Sequence, residues 1–489
     1  MWSQSRRGVA LAGGVAVVAL FLLTVGGGAL VAPKSAAPAA AASVGRSGTV
    51  TAAPGAASAT PRTTLPESSG ATPTSTGSAA VTPKSTGSPS ATPTSGGSRT
   101  PTSKPASTAT PASAATPAPA TATASSTPAP ATPTPLPTRA PAPSGGAPSA
   151  LHVSGNQLVN ASGQTVSLHG VDMSGTEYVC AQNWTTDPFG GQPEDSSATF
   201  AAMRSWNVNA VRIPLNEDCW LGINGVEIGG AAYQSAIVKL VDDLQSAGFY
   251  VILDLHWNAP GSQIALAQNP APDEDHSPAF WSSVASTFGG DGSVLFDLYN
   301  EPYFYWLTSG ENQWQCLWQG CTITQYVTGG SPYTVTANWT SAGFDQLTTD
   351  IRSAGASNVI MAGCVDWAND CSDWASSFAE WGSGDADTVV SWHSYPGEGC
   401  DTESCWDSTI APLATDRPVI VGETGDSAGG PETYLPTFLP WVSAHGLSVL
   451  AWTWNAWEDS DDVLVTSMSA GTPTAGEGVY YQQYLLGLG

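Results

Sequence analysis

The stretch AAYQSAIVKLVDDLQSAGFYVILDLHW, residues 231–257, joins two hydrophobic patterns within one short span. Apolar side chains first recur every three or four residues up to Gly248, which predicts an amphipathic helix that ends at a glycine. Residues 250–257 are then almost continuously apolar, as in a strand that is buried on both faces. A helix followed at once by a buried strand is the repeating unit of a parallel sheet, so this stretch indicates the α/β class.

The same alternation extends over residues 150–489. Helical patterns cover roughly 196–206, 231–247, 341–354 and 431–444. The apolar runs between them number eight: VSLHGV (166–171), NAVRIPL (209–215), YVILDLHW (250–257), VLFDLYN (294–300), NVIMAGC (358–364), TVVSWHSY (388–395), PVIVGE (418–423) and LSVLAWTW (447–454). Eight strands, each followed by a helix or a long loop, predict a (β/α)8 TIM barrel.

Two further features of this region bear on the fold. The segment VSGNQLVNASGQTV, 153–166, predicts a hairpin before the first strand that closes the barrel floor. A doubly wound parallel sheet is the alternative architecture, and it would carry a glycine-rich phosphate loop after its first strand. The segment found there, VDMSGTEY at 171–178, is not such a loop.

The chain divides into three predicted regions. Residues 8–32 are uncharged and come directly after Arg6 and Arg7, which predicts a signal peptide or an N-terminal membrane anchor over 1–33. The chain beyond residue 33 is then extracellular, either secreted or tethered at the outer cell surface. Residues 34–149 are rich in Pro, Thr, Ser and Ala, the composition of a disordered linker. Residues 150–489 form the predicted folded domain.

The charge of the chain excludes one class of partner. Of its 40 acidic residues only Glu67 precedes residue 150, whereas five of its 14 basic residues lie beyond that position. A domain this acidic repels phosphate backbones, so we expect no nucleic-acid partner. An uncharged substrate is compatible with such a surface.

All eight cysteines lie in the predicted domain, and an even count in an exported chain indicates disulfides. Eight cysteines allow many connectivities, and short spacing favours three local pairs with one pair left over. The predicted pairs are Cys180–Cys219, Cys316–Cys321, Cys364–Cys371 and Cys400–Cys405. No CxxC or HExxH spacing occurs, so the sequence does not predict a zinc site.

Polar side chains gather where the predicted strands end, which is where barrels of this kind carry their chemistry. These residues are Arg212, His256, Asn300, Glu301, His393, Tyr395, Glu423, and Trp452 or Trp454. Burial of so many ionisable groups costs several kcal/mol unless they are paired, so a site explains them better than stability does. Glu301 ends the fourth run and Glu423 the seventh, on opposite sides of an eight-membered ring. Two facing carboxylates are what glycoside hydrolysis requires.

Six motifs in order carry a resemblance to a known family: VRIP (211–214), LDLHW (253–257), LYNEP (298–302), SWHSYPG (391–397), VGETG (421–425) and WTWN (452–455). Each is weak alone, but together they resemble glycoside hydrolase family 5, the cellulase-type retaining barrels of clan A. The resemblance covers essentially all of 150–489. It implies that Glu301 is the general acid/base and that Glu423 is the nucleophile that forms a glycosyl-enzyme.

The resemblance also implies supporting roles. Arg212 and Tyr395 would keep the nucleophile ionised and oriented, and Asn300 would bind the 2-hydroxyl of the sugar. His256 and His393 would bind the sugar and tune the two carboxylates. A tryptophan after the eighth run would stack under the sugar ring, and the pattern prefers Trp452, with Trp454 as the second choice.

Other tryptophans and two insertions bear on the substrate. Tryptophans in presumed loops are predicted to form sugar-binding platforms: Trp184, Trp220, Trp257, Trp306, Trp314, Trp318, Trp367, Trp374, Trp406 and Trp457. Residues 303–340 are predicted to be a long functional loop, and NEDCWLG at 216–222 is a second feature that reshapes the cleft.

The expected function is that of an exported, monomeric retaining glycosidase that cleaves polysaccharide, above all an endo-β-1,4-glucanase without metal or cofactor. Other β-linked substrates remain as alternatives: mannan, xylan, β-1,3-glucan or a glycosylceramide. Two alternatives belong to different classes, a catalytically silent carbohydrate-binding barrel and a wall-spacer protein with an incidental globular head. The paired carboxylates argue against both.

Overall fold

The structure is a computed structural model that describes residues 147–182, 187–189, 194–304, 307, 312–327, 334–426, 433–457 and 463–488. The leader predicted over 1–33 and nearly all of the linker predicted over 34–149 lie outside the described residues. Both therefore stay predictions. Among the helices that the structure describes, none combines the length and the apolar character needed to cross a membrane.

Eight parallel strands close into a barrel, which confirms the predicted fold. They are β1 (His169–Asp172), β2 (Ala210–Asn216), β3 (Tyr250–Trp257), β4 (Val294–Asp297), β5 (Ile360–Gly363), β6 (Thr388–Ser394), β7 (Val419–Thr424) and β8 (Ser448–Ala451). Neighbours along the chain pair in the barrel, and β8 pairs with β1 to close it, with Val449 opposite His169. Each strand lies within a few residues of its predicted apolar run.

A helix follows each strand. The helices are α1 (Ser197–Ser205), α2 (Ala231–Ser246), α3 (Ser277–Phe288), α4 (Phe344–Ser353), α5 (Trp374–Trp381), α6 (Ala411–Asp416), α7 (Leu435–Ala444) and α8 (Glu477–Gly487). Glu403–Cys405 and the π-helical turn Trp406–Ile410 lead into α6. Gly248, two residues beyond α2, has φ +89°, a conformation that glycine adopts without strain. This confirms the glycine stop signal.

Four short helical segments lie in loops: Val179–Gln182, Glu217–Leu221, Gln313–Gln319 and Val365–Ala368. The last one is left-handed in part, because Asp366, Trp367 and Ala368 have φ near +57°. Two-stranded antiparallel ribbons complete the described fold: Leu151–Ser154 with Gln157–Asn160, Thr322–Val327 with Thr334–Thr340, and Val465–Ser467 with Thr472–Pro473.

The N-terminal ribbon closes one end of the barrel. Its Leu151 and Leu158 join a cluster of buried side chains from the strands, including Leu168, Ile252 and Ile420. Apolar groups thus fill the end of the barrel where the strands begin. The polar strand residues are left to the opposite end, where the strands stop. The predicted hairpin floor is confirmed, although its two strands span 151–160 rather than 153–166.

All four predicted disulfides are present, and no cysteine is free. The insert predicted over 303–340 is present, but it is not loop throughout. The insert holds the helix Gln313–Gln319 and the ribbon Thr322–Val327 with Thr334–Thr340, and the Cys316–Cys321 disulfide joins the two. Apolar side chains such as Leu317 and Ile323 pack this insert onto the main core.

The prediction that the loop tryptophans together form sugar platforms is also largely wrong. Five of them lie on helices and pack into the core: Trp220, Trp314, Trp318, Trp374 and Trp406. Trp257 is buried as well, in a small apolar cluster with Tyr178. Trp367 and Trp457 are only partly buried, and Trp184 and Trp306 lie outside the described residues. A large ring on a helix facing the barrel gains more from burial than from a place at the surface.

Candidate active site

Arg212 lies fully buried on β2 at the centre of the barrel and binds four carboxylates. Its Nη1 is 3.0 Å from Asp172 Oδ1 and 2.7 Å from Glu423 Oε1. Its Nη2 is 3.2 Å from Asp254 Oδ2, and its Nε is 3.1 Å from Asp297 Oδ2. We call these five residues the Arg212 network. The three aspartates were not among the predicted site residues, although each is a charge inside an apolar strand, a signal that could have found them.

One guanidinium does not keep four buried carboxylates ionised. Burial raises the pKa of Asp254 to about 7 and that of Asp297 to about 8, and it raises the pKa of Asp172 well above the usual range, even though Arg212 opposes each shift. Burial acts in the opposite direction on Arg212 itself. The carboxylates outweigh it and raise the pKa of Arg212 well above its usual value. The network therefore combines one permanent cation with protons that the aspartates retain near neutral pH.

Glu423 lies on the inner face of β7, and each of its carboxyl oxygens accepts a hydrogen bond. Arg212 donates to Oε1, and the Tyr395 hydroxyl donates to Oε2 over 3.1 Å. His393 Nδ1 is 3.8 Å from Oε2. A Cβ at the preceding residue, Gly422, would lie 2.8 Å from His393 Nε2, so the VGETG motif needs its glycine to admit that ring. Paired donors of this kind stabilise a charged carboxylate.

Glu301 lies four residues beyond the end of β4 in a different environment. Its Oε1 is 3.2 Å from His393 Nδ1, and its Oε2 has no hydrogen-bond partner within the described part of the chain. Burial raises the pKa of Glu301 well above the usual range, and the charges of Glu423 and Glu398 raise it further. One oxygen of Glu301 lies within 4.8 Å of one oxygen of Glu423. The site thus pairs Glu301, whose pKa is raised, with Glu423, whose two oxygens each accept a hydrogen bond.

Asn300 connects the two halves of the site. Its Oδ1 accepts a hydrogen bond from Arg212 Nη2 over 2.8 Å, and its Nδ2 donates to Gln268 Oε1. Gln268 in turn donates from Nε2 to the main-chain oxygen of Glu301 over 2.7 Å. The sequence reasoning missed Gln268. It lies in the middle of the loop 258–276, where neither periodicity nor a motif marks it.

His256 and Trp452 form the wall beside Asn300. His256 Nδ1 is 2.7 Å from Asp254 Oδ2, and its ring stacks on Trp452 with centroids 5.5 Å apart and an interplanar angle of 16°. Burial lowers the pKa of His256 to about 4 and that of His393 well below 6.5, so both rings are neutral near pH 7.

Trp454, the second choice for the tryptophan that would stack under the sugar ring, does not lie in the site. Trp454 lies in the core, edge-on to Trp206 with centroids 4.6 Å apart, and its Nε1 donates to the main-chain oxygen of Met468. Because β8 ends at Ala451, the alternation of strand faces no longer applies to the residues after it. The other predicted site residues, from Arg212 to Trp452, come together at the carboxyl ends of the strands.

An aromatic pair adjoins Glu301. Tyr303 stacks on Trp367 with centroids 5.0 Å apart and an interplanar angle of 22°, and the Trp367 main-chain nitrogen donates to the Pro302 oxygen. Trp367 stands in the left-handed turn after β5, closed at its base by the Cys364–Cys371 disulfide. Successive non-glycine residues with positive φ are strained, and such strain is characteristic of functional sites.

Comparison with known proteins is consistent with this geometry. A family model described as Cellulase (glycosyl hydrolase family 5) matches residues 159–458, more than half of the chain. The endoglucanase MaCel5A of Microbulbifer sp. (strain ALW1) is 28% identical over 152 residues, 31% of this chain and 26% of that protein. The endoglucanase CelA of Streptomyces lividans is 27% identical over 161 residues, 32% of this chain and 30% of that protein. The matched part therefore spans less than a third of either relative.

Among solved structures, a beta-glucanase of Saccharophagus degradans, SdGluc5_26A, in complex with cellotetraose, superposes with a TM-score of 0.54. The match covers 73% of this chain and 98% of that chain at 19% identity. At that identity the likeness shows a shared fold and no more. The family match extends over the barrel and over all six motifs. The chain belongs to glycoside hydrolase family 5, the cellulase family.

Proposed function

We propose that this chain is a retaining endo-β-1,4-glucanase in which Glu301 is the general acid/base and Glu423 is the nucleophile. The observation that carries the proposal is the pairing of two unlike carboxyl groups with oxygens within 4.8 Å of each other. Retaining glycosidases hold their two carboxyl groups about 5–5.5 Å apart, whereas inverting enzymes separate them by about 6.5–9.5 Å to admit a water molecule. The spacing here supports a double displacement.

In the first step the proton of Glu301 passes to the glycosidic oxygen, and Glu423 attacks the anomeric carbon. The carbon–oxygen bond of the leaving sugar breaks with its electron pair, and an ester forms with Glu423. In the second step Glu301, now a carboxylate, removes a proton from water. The resulting hydroxide replaces Glu423 at the anomeric carbon, and both groups return to their starting states.

The environment of Glu301 supports its change of role. While Glu423 is charged, its field is among the causes that raise the pKa of Glu301. Formation of the ester removes that charge, so the pKa of Glu301 falls just when a base is needed. While Glu423 is esterified, the hydrogen bonds that Arg212 and Tyr395 donate to it would weaken. They would return to full strength when hydrolysis frees Glu423 again.

Three further residues would bind the sugar in the reacting subsite. Asn300 would donate to the 2-hydroxyl, since Arg212 already fixes its other side-chain atom. Trp452, held by its stack on His256, would lie against the sugar ring. Neutral His393, within hydrogen-bond distance of Glu301, would orient the acid without placing a second cation beside it.

The β-1,4-glucan assignment is supported by relatives that are endoglucanases and by a structural neighbour that holds cellotetraose. The acidic character of the domain suits a neutral polymer. Mannan, xylan, β-1,3-glucan and glycosylceramide are the other substrates that the test must separate. A catalytically silent barrel would have no use for two paired carboxyl groups in such different environments.

We also propose that the protein acts outside the cell as a monomer. The leader over 1–33 would export it or anchor it, and the linker over 34–149 would let the catalytic domain reach substrate at a distance. Four disulfides in one domain suit an oxidising compartment.

The test uses the purified chain on soluble β-1,4-glucan, mannan, xylan and β-1,3-glucan, with reducing-sugar release as the readout. We expect release from β-1,4-glucan, with a loss of roughly 10³-fold or more in Glu301→Gln and in Glu423→Gln. Proton NMR of the first product should show the β-anomer, as retention requires. An α-anomer as first product, or full activity in either variant, would refute the mechanism.

A further inference from the structure

A second group of ionisable side chains lies on the same face of the barrel, outside the catalytic centre. Glu217 comes directly after β2, and Asp273 and His276 stand at the end of the loop that leads from β3 to α3. His276 Nδ1 is 3.4 Å from Asp273 Oδ1 and 3.7 Å from Glu217 Oε1, and the three potential ligand atoms all lie within 4.8 Å of one another. We call these three residues the Glu217 cluster. The proposed hydrolysis uses none of them.

The Glu217 side chain has a buried oxygen that no described hydrogen-bond donor reaches. The residue is fully buried, and its Oε2 accepts a hydrogen bond from Ser277 Oγ. Its Oε1 is also buried and has no hydrogen-bond partner among the residues that the structure describes. A buried carboxylate oxygen without a partner is costly, so native structures supply one as a donor, a proton or an ion. This oxygen faces Asp273 and His276.

The charge around the cluster is negative. Asp218, the next residue, is buried as well, and Asp275 is close by on the surface. The five basic residues of the domain all make their described contacts elsewhere: Arg212 in its network, Lys239 with Asp243, Arg352 with Asp385, Arg204 with Val208, and Arg417 with Thr388. Within the described residues, the only cationic side chain that reaches these carboxylates is His276 when it is protonated.

We propose that Glu217, Asp273 and His276 bind a divalent first-row transition cation. A metal about 2.0–2.2 Å from each ligand atom places neighbouring ligand atoms roughly 3.0–3.6 Å apart, close to the two separations seen here. Two carboxylate oxygens and one imidazole nitrogen suit Mn²⁺ or Zn²⁺. Ca²⁺ takes six to eight oxygen ligands and Mg²⁺ keeps most of its waters, so this set suits neither.

The ligands come from positions far apart in the chain, so no local metal-binding motif marks them. Glu217 begins the segment that the Cys180–Cys219 disulfide ties down. Asp273 bridges to Ser341 at the end of the insert, and its Oδ2 accepts a hydrogen bond from Asn258. A cation here would join the loops after β2 and β3 and the end of the insert at one point.

The position indicates a structural cation rather than a reactant. The loop 258–276 carries Gln268, which holds both Asn300 and the main chain of Glu301. A metal at the end of that loop would fix it without contacting the sugar. Removal of the metal should therefore lower thermal stability more than activity. Activity should fall only if the loop shifts and Gln268 leaves its position.

The test uses the full chain, stripped with EDTA and dialysed, and MnCl2 as the probe at pH 7. Electron paramagnetic resonance should show one bound Mn²⁺ per chain, and the midpoint of thermal unfolding should rise by roughly 3–6 °C at saturation. Glu217→Gln removes one ligand charge at nearly constant volume and should weaken Mn²⁺ binding about tenfold or more. Glu274→Gln changes the same charge on an exposed neighbour of Asp273 and should bind like the wild type.

Two controls keep the result decisive. Among the described residues, Glu301, His393 and Glu423 are the other group whose spacing would admit a metal. Glu423→Gln tests that group, and it should bind Mn²⁺ normally because Glu423 is not a ligand in the Glu217 cluster. If Glu217→Gln does not fold, an NMR experiment takes the place of that variant. Mn²⁺ should selectively broaden one histidine signal in the wild type, and that signal should be absent in His276→Asn. No bound Mn²⁺ in the wild type, undiminished binding in Glu217→Gln, or loss in Glu423→Gln alone would overturn the proposal. Glu217 and Asp273 would then share a proton.

Discussion

Arg212 shows how far a single residue determines this site. A buried charge is tolerated only when partners replace its hydration, and Arg212 has five, counting Asn300. The guanidinium is planar, and its donors point in fixed directions. It therefore fixes the position of the proposed nucleophile and of the residue that precedes the proposed acid at the same time. The acidic composition of the domain leaves no second cation for this task.

Arg212→Lys should therefore be far from conservative. A lysine ammonium has three donors at one point and cannot reach all the oxygens that the guanidinium holds. We expect kcat/KM on β-1,4-glucan to fall about 10²–10³-fold, and the free energy of unfolding to fall by roughly 3 kcal/mol or more. Arg204→Lys, at an exposed position on α1, is the control and should change neither. Activity within threefold of wild type in Arg212→Lys would contradict this account.

Gln268 is predicted to act through its neighbours. Gln268→Ala frees the amide of Asn300 and the main-chain oxygen of Glu301, so the 2-hydroxyl contact loses its orientation. Because that contact strengthens in the transition state, kcat should fall about tenfold with little change in KM. Gln263→Ala, an exposed change in the same loop, is the control. A rise in KM alone would show that Gln268 binds substrate directly and would contradict a positioning role.

At the scale of elements, the left-handed turn after β5 connects strain to function. Three residues with positive φ are retained there because the Cys364–Cys371 disulfide and the hydrogen bond to Pro302 hold the turn. The result is a partly exposed Trp367 stacked on Tyr303, next to Glu301. A turn that served stability alone would have used glycine at these positions.

Trp367→Ala should weaken the binding of long substrates more than that of short ones. Loss of one aromatic stacking surface costs about 0.5–1.5 kcal/mol, or roughly 2- to 12-fold in KM. We expect that rise with cello-oligosaccharides long enough to reach the turn, with kcat little changed. Trp381→Ala, a partly buried tryptophan at the end of α5, is the control. Equal kinetics for Trp367→Ala and wild type on every chain length would exclude a platform.

The elements also show what the sequence could predict. All eight strands could be predicted because each is a continuous apolar run, and Glu301 and Glu423 were selected as candidates because barrel chemistry lies at strand ends. The helix and ribbon inside the 303–340 insert and the Val365–Ala368 turn were not predicted, because tertiary packing, not periodicity, fixes their conformation. The core tryptophans were misread because residue type alone does not tell a platform from a packed ring. Gln268 and the Glu217 cluster depend on contacts across the loops, which no local spacing reports.

At the scale of the whole molecule, buried acids decide how stability depends on pH. The pKa of Asp297 and that of Glu398 are each raised to about 8, chiefly by burial, and the pKa of His276 is raised to about 9, chiefly by its hydrogen bond to Asp273. A raised pKa in the folded state means that the group keeps its proton up to a higher pH in the folded protein than in the unfolded chain. Such groups stabilise the fold fully at low pH, and that contribution is lost as pH rises through the folded-state pKa.

Histidines with a lowered pKa act in the opposite direction, but only at lower pH. The pKa of His256 is lowered to about 4 by burial, so its neutral form in the folded state destabilises the fold below about pH 6.5, where the unfolded chain takes up the proton. Between pH 4 and 6.5 the buried acids and His256 therefore oppose each other. Above pH 6.5 His256 no longer contributes, and Asp297, Glu398 and His276 all act in one direction.

The midpoint of thermal unfolding should consequently fall between pH 6.5 and pH 9. Asp297 and Glu398 together account for several kcal/mol over this range, which corresponds to a drop of roughly 5–10 °C. The measurement is calorimetry in buffers of matched ionic strength with EDTA present, so that no cation occupies the Glu217 cluster. Asp297→Asn, which cannot release a proton, should show a shallower decline than the wild type. Asp242→Asn, at a half-buried position on α2 outside the Arg212 network, should behave like the wild type. A midpoint that stays constant or rises over this range would mean that the network around Arg212 is already fully ionised at neutral pH.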